Sequence, residues 1–297
     1  MKVIYGINKL GKLRNPVVAM GVFDGVHRGH RLVLKAAVAK AKEIKGTSVV
    51  LTFWPHPQKE ESIYSFKHRL SLFSGLGIDA CVVINFNRSF ERISAKDFIE
   101  KILLPRIRPA YLYVGKNFRF GKGAKGNLGT LRKYGLKVKA FEVVKTSKKI
   151  ISSTYIRRLI KNGNLYLAQK LLSRRVSVLG TVTRGESIGR KIGFPTANID
   201  LHHEVTPAKG IYAVRVILKG RRLKGACYIG TRPTFSGGMK KRVEVHILGF
   251  KKMIYGKDLE IQFIKKIRED RKFNSAAGLS KQIKKDILLI RSILSHT

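Results

Sequence analysis

The ten residues from Gly21 to His30 combine glycine, aspartate and histidine in an order that suits phosphate chemistry. The segment is GVFDGVHRGH, in which His27 and His30 stand three residues apart, and it joins a predicted buried strand, 16–23, to a predicted helix, 31–44. Its glycines let the backbone turn sharply and approach a ligand closely, and a helix start favours an anion. Both imidazoles can therefore face one triphosphate and offset the charge that builds up in the transition state.

Two other interpretations of these ten residues are a metal site and an ordinary polar turn. A metal site needs a third ligand, and neither a cysteine nor a carboxylate stands at a matching spacing nearby. A polar turn with two ordinary histidines stays open while the segment is considered alone.

The segment Ile151 to Arg158, ISSTYIRR, follows a predicted strand and opens another helix, which Ser152 or Ser153 can cap. Ser153 and Arg157 are four residues apart. They therefore share one helical face, which suits a second hold on phosphate. A capped surface helix is the alternative for these residues alone.

A third segment, VGKNFRFGKGAKG, contains Asn117 and ends in a match to the GxGxxG pattern of dinucleotide-binding loops, with Glu142 at the distance of a ribose contact. We discount that function because KNFRF separates the glycines from the strand and because Gly129 breaks the short segment behind them. We expect a mobile basic loop near a nucleotide instead. The chain has no Walker A sequence, which excludes a P-loop kinase.

The net charge is the unusual feature of the composition. Across 297 residues, 61 Lys and Arg stand against 18 Asp and Glu, which gives a formal charge of +43. Such a field attracts phosphates, nucleic acids and anionic lipids. The basic residues recur in short clusters and form no tail, so a solvated surface charge is favoured and nucleic acid is not expected as a partner.

Cysteine content and hydropathy predict a cytoplasmic protein without a membrane partner. The two cysteines form neither a disulfide framework nor a zinc spacing. The N-terminal residues lack a signal-peptide pattern, and the longest apolar runs stop short of the roughly 18 residues of a membrane helix.

The order of the predicted elements divides the chain into two domains, 1–172 and 173–297. In the first, strands and helices alternate, as in an α/β domain with a largely parallel sheet. In the second, strand-like segments separated by turn signals predict an antiparallel barrel, and 279–294 has the spacing of an amphipathic helix that covers one end. The predicted strands are 16–23, 48–53, 80–84, 110–114, 136–144, 176–182, 210–218, 224–230, 242–250 and 259–267, and the other predicted helices are 70–76 and 95–104.

Oxygen donors are concentrated in the segment 180–199, GTVTRGESIGRKIGFPTANI. Pro195 stiffens its turn, while the Thr196 hydroxyl and the Asn198 amide supply neutral oxygens. Mg²⁺ keeps several waters and takes few protein ligands, so these two groups and the phosphates of ATP can complete its shell. A polar β-turn is the alternative.

The segment VEVHIL predicts a strand with Glu244 and His246 on one face. A carboxylate that projects toward a barrel opening is a candidate general base. The alternative for Glu244 is a salt bridge with one of the many lysines, and His246 is expected to pack or to form a hydrogen bond nearby.

Taken together, these motifs resemble the prokaryotic bifunctional riboflavin kinase/FAD synthetases over about residues 15 to 290. GVFDGVHRGH, GKNFRFG and ISSTYIR are similar to their nucleotidyltransferase module, and the segment around GFPTAN is similar to their flavokinase signature. The resemblance implies an α/β fold: a Rossmann-like nucleotidyltransferase domain with a parallel sheet and helices, then an antiparallel β-barrel riboflavin kinase domain with a terminal helix.

The resemblance also implies two reactions that use ATP. In the barrel, Glu244 would take the proton of the riboflavin 5′-hydroxyl as it attacks the γ-phosphate of ATP, which gives FMN and requires Mg²⁺. In the first domain, the FMN phosphate would attack the α-phosphate of a second ATP, which gives FAD and pyrophosphate. The second step needs no protein nucleophile and depends on positioning and charge neutralisation.

The residues that the resemblance assigns to the sites fall into four groups. They are the catalytic residues Glu244, His27 and His30; the ATP- and phosphate-binding residues Gly21, Phe23, Asp24, Asn117, Ser153 and Arg157; the flavin- and nucleotide-binding residues of the kinase domain Gly189, Arg190, Phe194, Pro195 and Arg268; and the metal ligands Thr196 and Asn198.

Three positions depart from the family pattern. Ile150 stands where a basic residue is common, Tyr228 where asparagine is common, and Gly249 where aspartate is common. Two alternatives therefore remain: a riboflavin kinase with a weak or inactive adenylyltransferase half, and a basic nucleic-acid-binding protein on the same scaffold. The expected partners are riboflavin, FMN and ATP, and weak self-association is left open.

Overall fold

A computed structural model describes the chain in six stretches. They are residues 1–55, 61–146, 149–185, 189, 192–233 and 239–296. The chain folds into two compact units, of which the first is Met1–Ser62 with Phe66–Tyr155 and the second is Ile63–Ser65 with Ile156–Thr297. A domain boundary at residue 172 stays a prediction.

Six described strands form a parallel sheet in the first unit. They are β1 (Lys2–Tyr5), β2 (Val17–Met20), β3 (Ser48–Trp54), β4 (Ala80–Asn85), β5 (Tyr111–Gly115) and β6 (Val138–Phe141). Their order across the sheet is β1-β4-β3-β2-β5-β6. Alternate residues of β2 enter two separate cores: Val18 and Met20 enter one, and Val17 and Ala19 enter the other. Because both faces of a parallel sheet are covered, such a strand is apolar throughout.

Helices connect these strands, which confirms the predicted α/β alternation. The α-helices between the strands are α1 (Arg28–Glu43), α2 (Phe66–Gly75), α3 (Arg88–Glu91), α4 (Ala95–Asp97) and α5 (Leu128–Lys133). They are followed by α6 (Ser153–Lys161) and by α7 (Leu165–Leu172), which belongs to the second unit. A two-residue hairpin, β7 (Lys145–Thr146) and β8 (Lys149–Ile150), precedes α6.

Several elements of the first unit differ from the prediction. The helices α3 and α5 and the β7–β8 hairpin were not predicted, and α5 runs through Gly129, which was expected to break that segment. The predicted helix 95–104 continues from α4 as a π-helix, Phe98–Ile107, that contains Pro105. Proline has no N–H to donate, so it cannot complete the ordinary helical ladder. The strand β1 was not predicted, because only its parallel pairing with β4 defines it.

The chain reverses its progress across the sheet at β2. From β2 it proceeds through β3 and β4 on one side, and then returns to place β5 and β6 on the other. Loops diverge at such a point and leave a crevice at the carboxyl ends of the strands, where ligands bind in open α/β sheets. Ala19 of β2 stands opposite Tyr113 of β5, so the loops that follow these two strands begin at the same edge.

Six described strands of the second unit close into an antiparallel barrel. They are β9 (Ser177–Thr183), β10 (Ala197–Asp200), β11 (Gly210–Leu218), β12 (Arg221–Pro233), β13 (Met239–Ile247) and β14 (Asp258–Arg268). The prediction missed β10, a short strand that pairs with both β9 and β13 and so completes the barrel. The terminal helix α8 (Ala276–Ser295) packs on the outer wall, where Ile290 and Leu294 cluster with Ala213, rather than on an end of the barrel.

The tripeptide Ile63–Ser65, which precedes α2 in the chain, packs in the barrel unit. The buried carboxylate of Glu204 accepts hydrogen bonds from the backbone N–H of Ser65 at 2.8 Å and of Leu179 at 2.9 Å. The guanidinium of Arg174 lies 4.8 Å from the ring centroid of Tyr64, which is also buried. Charge-assisted bonds to a buried carboxylate are strong, so Glu204 fixes this tripeptide firmly.

The two cysteines provide a separate probe of each unit. Cys81 in β4 and Cys227 in β12 are fully buried. Burial raises the pKa of Cys81 to about 12 and raises the pKa of Cys227 as well. Because the thiolate is the reactive form, we expect negligible labelling of the native protein by a thiol reagent at neutral pH. Cys81→Ala and Cys227→Ala variants should each become labelled in denaturant as one unit opens. Rapid labelling of the native protein would contradict this burial.

Candidate active sites

The turn between β2 and α1 has a strained backbone. Phe23, Gly25 and Val26 have φ angles of 55°, 78° and 40°, in the left-handed region that residues other than glycine rarely adopt. Such a backbone persists only where surrounding contacts hold it. One contact is the Thr52 hydroxyl, which donates to the carbonyl oxygen of Val22 at 3.2 Å.

A second contact comes from Arg69 of α2, a fully buried arginine that the sequence did not reveal. Its Nη1 donates to the same Val22 carbonyl at 2.6 Å. The guanidinium lies over the rings of Trp54 and Phe66, 5.6 and 5.2 Å from their centroids. Burial lowers the pKa of Arg69, and the nearby charge of Asp24 opposes that shift. A positive charge is therefore fixed directly against the turn.

The two histidines of the turn act as one geometric unit. His27 caps α1, because its Nδ1 accepts the backbone N–H of His30 at 3.4 Å. The two rings are stacked, with centroids 3.6 Å apart and planes 21° apart, and the Phe23 ring meets His30 edge-on at 5.3 Å. A Cβ on Gly29 would lie 3.3 Å from Cε1 of His27. Since Nδ1 of His27 accepts, its Nε2 carries the proton and can donate to a ligand.

Ser153 joins the start of α6 to the same turn. Its Oγ donates to the carbonyl oxygen of Asp24 at 2.9 Å. The neighbouring Ser152 caps the helix by accepting the N–H of Tyr155 at 3.2 Å. Asp24 itself is buried. The structure thus brings two of the three predicted motifs of this unit into direct contact.

The other residues predicted for this site lie in three places. Gly21 follows β2 directly and donates its N–H to Leu51 O at 3.1 Å. Asn117 is exposed in the turn after β5, and its loop begins at the same sheet edge as the histidine turn. Arg157 is buried one helical turn after Ser153.

The glycine loop after Asn117 is anchored. Phe120 and Gly126 exchange two backbone hydrogen bonds of 3.1 and 2.9 Å, and Lys122 donates to Ile93 O at 2.7 Å. A Cβ on Gly121 would lie 2.6 Å from the backbone nitrogen of Ala95. Where the sequence predicted a mobile loop, the structure therefore fastens it against α4.

A row of three side chains crosses the wall of the barrel in the second unit. Glu244 of β13 stands opposite both Asn198 of β10 and Tyr228 of β12. The alternate residues Val243 and Val245 are buried, so Glu244 faces the outside of the barrel. The expectation that Glu244 projects toward a barrel opening is wrong, because strand alternation and the cover by α8 place it on the outer wall instead.

Glu244 has a partner for each carboxylate oxygen. Thr196 Oγ1 donates to Oε2 at 3.2 Å, and the guanidinium of Arg242 lies 2.5 Å from Oε1. A Cβ on Gly185 would overlap the amide of Asn198, so glycine is required beside that amide. Thr196, Asn198 and Glu244 therefore converge as a set of oxygen donors.

A cavity of about 420 Å³ lies between this row and α8, a size that suits a small molecule. Its polar lining includes Glu244, Thr196, Tyr228 and Arg268. Its apolar lining includes Phe194, Ile211, Phe273, Leu279 and Ile287.

A second cavity of about 360 Å³ also reaches Thr196. It is lined by Val182, Val245 and Ile247, whose buried side chains belong to the inner wall, and by the exposed lysines Lys251 and Lys252. Thr196 therefore lines both the mainly apolar cavity on the outer wall and the cavity that is lined by Lys251 and Lys252.

The residues before Thr196 are held by His246 and Gly189. His246 Nδ1 lies 2.8 Å from the carbonyl oxygen of Pro195, and its ring meets Phe194 edge-on at 5.9 Å, so the expected packing of His246 is confirmed. Gly189 O accepts the N–H of Phe194 at 2.7 Å, and a Cβ on Gly189 would lie 2.4 Å from Phe194 O. Arg190 lies outside the described residues.

Arg268 lines the 420 Å³ cavity, but its guanidinium is bound to α8. Its Nε lies 3.1 and 2.9 Å from the two carboxylate oxygens of the buried Asp286. Arg268 therefore acts on the cavity by holding α8 in place.

The Tyr228 hydroxyl donates to Asp270 at 3.1 Å, and burial together with that carboxylate raises the pKa of Tyr228 to about 12.

Comparison with known proteins agrees with this two-site arrangement. A family model described as FAD synthetase matches residues 10–155, and one described as riboflavin kinase matches residues 172–294. The bifunctional riboflavin kinase/FMN adenylyltransferase of Escherichia coli K12 is 35% identical over 100% of this chain and 99% of its own length. The chain belongs to the bifunctional riboflavin kinase/FMN adenylyltransferase family.

Other members of this family are similarly close. Those of Haemophilus influenzae and Bacillus subtilis are each 35% identical, over 97% and 91% of this chain and 97% and 90% of their own lengths. A crystal structure described as a macrolide-efflux protein from Streptococcus pneumoniae superposes with a TM-score of 0.84 at 29% identity, covering 98% of this chain and 99% of that one. Within the described ranges, no helix is long and apolar enough to cross a membrane.

The three departures from the family pattern have different structural settings. Ile150 in β8 is 50% exposed, and the ammonium of the adjacent Lys149 lies over the ring of Tyr155, 5.4 Å from its centroid. Tyr228 lines the 420 Å³ cavity. Gly249 has a φ of 68°, a conformation that glycine adopts without strain.

Sequence reasoning missed two residues that act directly on these sites. Arg242 precedes Glu244 by two positions, so strand alternation already implied that both share a face. No comparable signal pointed to Arg69, because its partner Val22 is distant in the chain and its burial is a tertiary property.

Replacing Arg69 tests its support of the turn. We expect Arg69→Met to lower the free energy of unfolding of the first unit by about 2 to 3 kcal/mol, because a charged donor to a buried carbonyl is lost. Arg69→Lys retains the charge without the planar fork and should lose less. The measurement is the denaturant dependence of Cys81 labelling, with Cys227 labelling as the internal control. Equal effects on both cysteines would contradict a local action of Arg69.

Proposed function

We propose that this protein converts riboflavin to FAD in two ATP-dependent steps, one in each unit. The observation that carries the proposal is the convergence of Thr196, Asn198 and Glu244, of which Thr196 lines both cavities and Glu244 lines the larger one. The other unit of the chain stacks two histidines at a helix start. The family membership supports both activities.

Riboflavin would occupy the 420 Å³ cavity, whose apolar and aromatic lining suits a flat ring system. ATP would occupy the neighbouring cavity, where Lys251 and Lys252 attract phosphates. Because Thr196 lines both, the riboflavin 5′-hydroxyl and the γ-phosphate would meet beside it. In that position Oε2 of Glu244, which lies 3.2 Å from Thr196 Oγ1, would be the base.

The chemistry of the first step then follows from these positions. The 5′-oxygen bonds to the γ-phosphorus, the bond from that phosphorus to the bridging oxygen breaks, and ADP leaves. The proton of the hydroxyl passes to Glu244 Oε2. Arg242 stays bound to Oε1 and holds the carboxylate in one orientation.

The donor set beside Glu244 fits Mg²⁺. Thr196 and Asn198 supply neutral oxygens, and within the described part of the chain no group of three or more His, Cys, Asp or Glu could hold a different metal. Hard oxygen donors in small number are what Mg²⁺ takes when phosphates complete its shell. When bound, the ion would neutralise charge on the transferred phosphate.

The second step would take place at the turn after β2. The FMN phosphate attacks the α-phosphorus of ATP, and the bond to the bridging oxygen breaks to release pyrophosphate. Nε2 of His27, the ring of His30 and the first N–H groups of α1 would hold the phosphates, with Asn117 as a further contact. Ser153 contributes by fixing the turn through Asp24 O.

The proposal is tested by product analysis of the purified protein. With riboflavin, ATP and Mg²⁺, FMN should appear first and FAD should follow, as resolved by chromatography over time. Absence of both products overturns the proposal. FMN without FAD would instead support a riboflavin kinase with an inactive adenylyltransferase half, for which the exposed Ile150 would be the first position to examine.

Replacing Glu244 separates the kinase step from the other. Glu244→Gln keeps the size of the side chain but removes the base, so FMN formation should fall by about 100-fold or more, while FAD formation from added FMN stays within about twofold. Glu269→Gln is the matched control, since Glu269 is exposed in the same unit and its carboxylate lies 2.6 Å from the ammonium of Lys266. An equal loss of FMN formation in both variants would contradict the assignment of the base.

Replacing His30 should have the reciprocal effect. His30→Ala removes one of the stacked rings, so FAD formation from FMN should fall by about 100-fold, in line with the loss of one donor to a developing charge. FMN formation from riboflavin should be unchanged. Loss of both activities in His30→Ala would count against two separate sites.

A further inference from the structure

A third cavity, of about 450 Å³, lies on the barrel unit and shares no lining residue with the two cavities described above. We call it the arginine cavity. Its lining consists of Arg174, Arg175, Arg215, Arg222, Glu260 and Gln262.

Strand pairing explains why these side chains meet. Arg215 of β11 stands opposite Gln262 of β14 on one side and opposite Lys224 of β12 on the other. Arg222, two residues before Lys224, stands opposite Ile217. Residues opposite each other in antiparallel strands point to the same face, so two arginines and a lysine share the outer wall here.

Two of the guanidiniums are held by backbone carbonyls. Arg174 Nη1 donates to Leu172 O at 3.1 Å, and Arg215 Nη2 donates to Leu294 O, at the end of α8, at 3.0 Å. Each bond uses one nitrogen of a five-donor group. For Arg215, the bond to the end of α8 fixes the orientation of a guanidinium that keeps further donors for a ligand.

The charge in the arginine cavity is strongly unbalanced. Four guanidiniums face one carboxylate, Glu260. Over the ranges that the structure describes, no ion pair involves Arg175, Arg215 or Arg222. Convergent like charges repel one another, and a bound anion removes that repulsion.

We propose that the arginine cavity binds a small anion that carries two or more linked phosphate groups. Guanidinium forks match phosphate oxygens in pairs, so several forks around one cavity can bind linked phosphate groups at the same time. The concave shape and the volume suit a small molecule better than an extended strand. The site is separate from the two reaction sites and goes beyond the proposed function.

Titration calorimetry with inorganic tripolyphosphate, on the full chain without Mg²⁺, tests the proposal. The variant pair Arg215→Gln with Arg222→Gln should weaken one binding event by about tenfold or more. The matched control is Lys284→Gln with Lys285→Gln, which removes the same charge from exposed positions of α8 and should weaken binding by less than about twofold. Phosphate sites elsewhere in the chain are retained in both pairs, so they do not contribute to the difference.

Arg215 also binds the end of α8, so its replacement removes that contact as well. Arg222→Gln alone leaves the contact intact and provides a second test. It should weaken tripolyphosphate binding while FMN and FAD formation stay unchanged. Equal weakening in the arginine and lysine pairs would assign the binding to the general field of the protein and overturn the proposal. Loss of FMN formation in Arg222→Gln would also overturn the proposal. The same holds if the variant loses binding of a single-stranded oligonucleotide but retains tripolyphosphate binding.

Discussion

The first unit depends on one carbonyl oxygen, that of Val22, and on the buried charge that holds it. Arg69 and Thr52 both donate to this oxygen, and the turn that follows adopts backbone conformations that would relax without them. Burying a guanidinium is costly. The contact with two aromatic rings and the bond to Val22 offset that cost, and the result is a rigid edge on which His27 and His30 stack.

In the second unit, a different set of contacts positions the side chains of the candidate site. The residues of its candidate site lie across adjacent strands, so strand register sets their spacing and neither a helix start nor a strained turn is required. The cavity is closed by α8, and the bond between Arg268 and Asp286 holds that helix on the wall. In this unit the charged side chains form ion pairs: Arg242 pairs with Glu244, and Arg268 pairs with Asp286.

Much of this arrangement was predictable from local pattern. The alternation of apolar strands with helices in the first half, and the closely spaced strands of the second, reflect periodicities that the sequence carries directly. Among the elements that were missed are β1 and β10, which are four residues long and are defined by pairing with distant strands. The π-helix was missed for a different reason, because its wider turn depends on how Pro105 is accommodated.

Local sequence pattern identified the chemical groups and their approximate positions along the chain. These are two histidines at a helix start, a serine cap, neutral oxygens before a strand, and a carboxylate within another strand. What these groups face depends on how the elements pack. The tertiary structure turned Glu244 to the outer wall beneath α8, fastened the glycine loop to α4, and brought Ser153 to Asp24 and Arg69 to Val22. The burial and orientation of a side chain depend on which elements pack together. Residues that come into contact across a sheet or beneath a turn have no periodic pattern in the sequence that would reveal the contact.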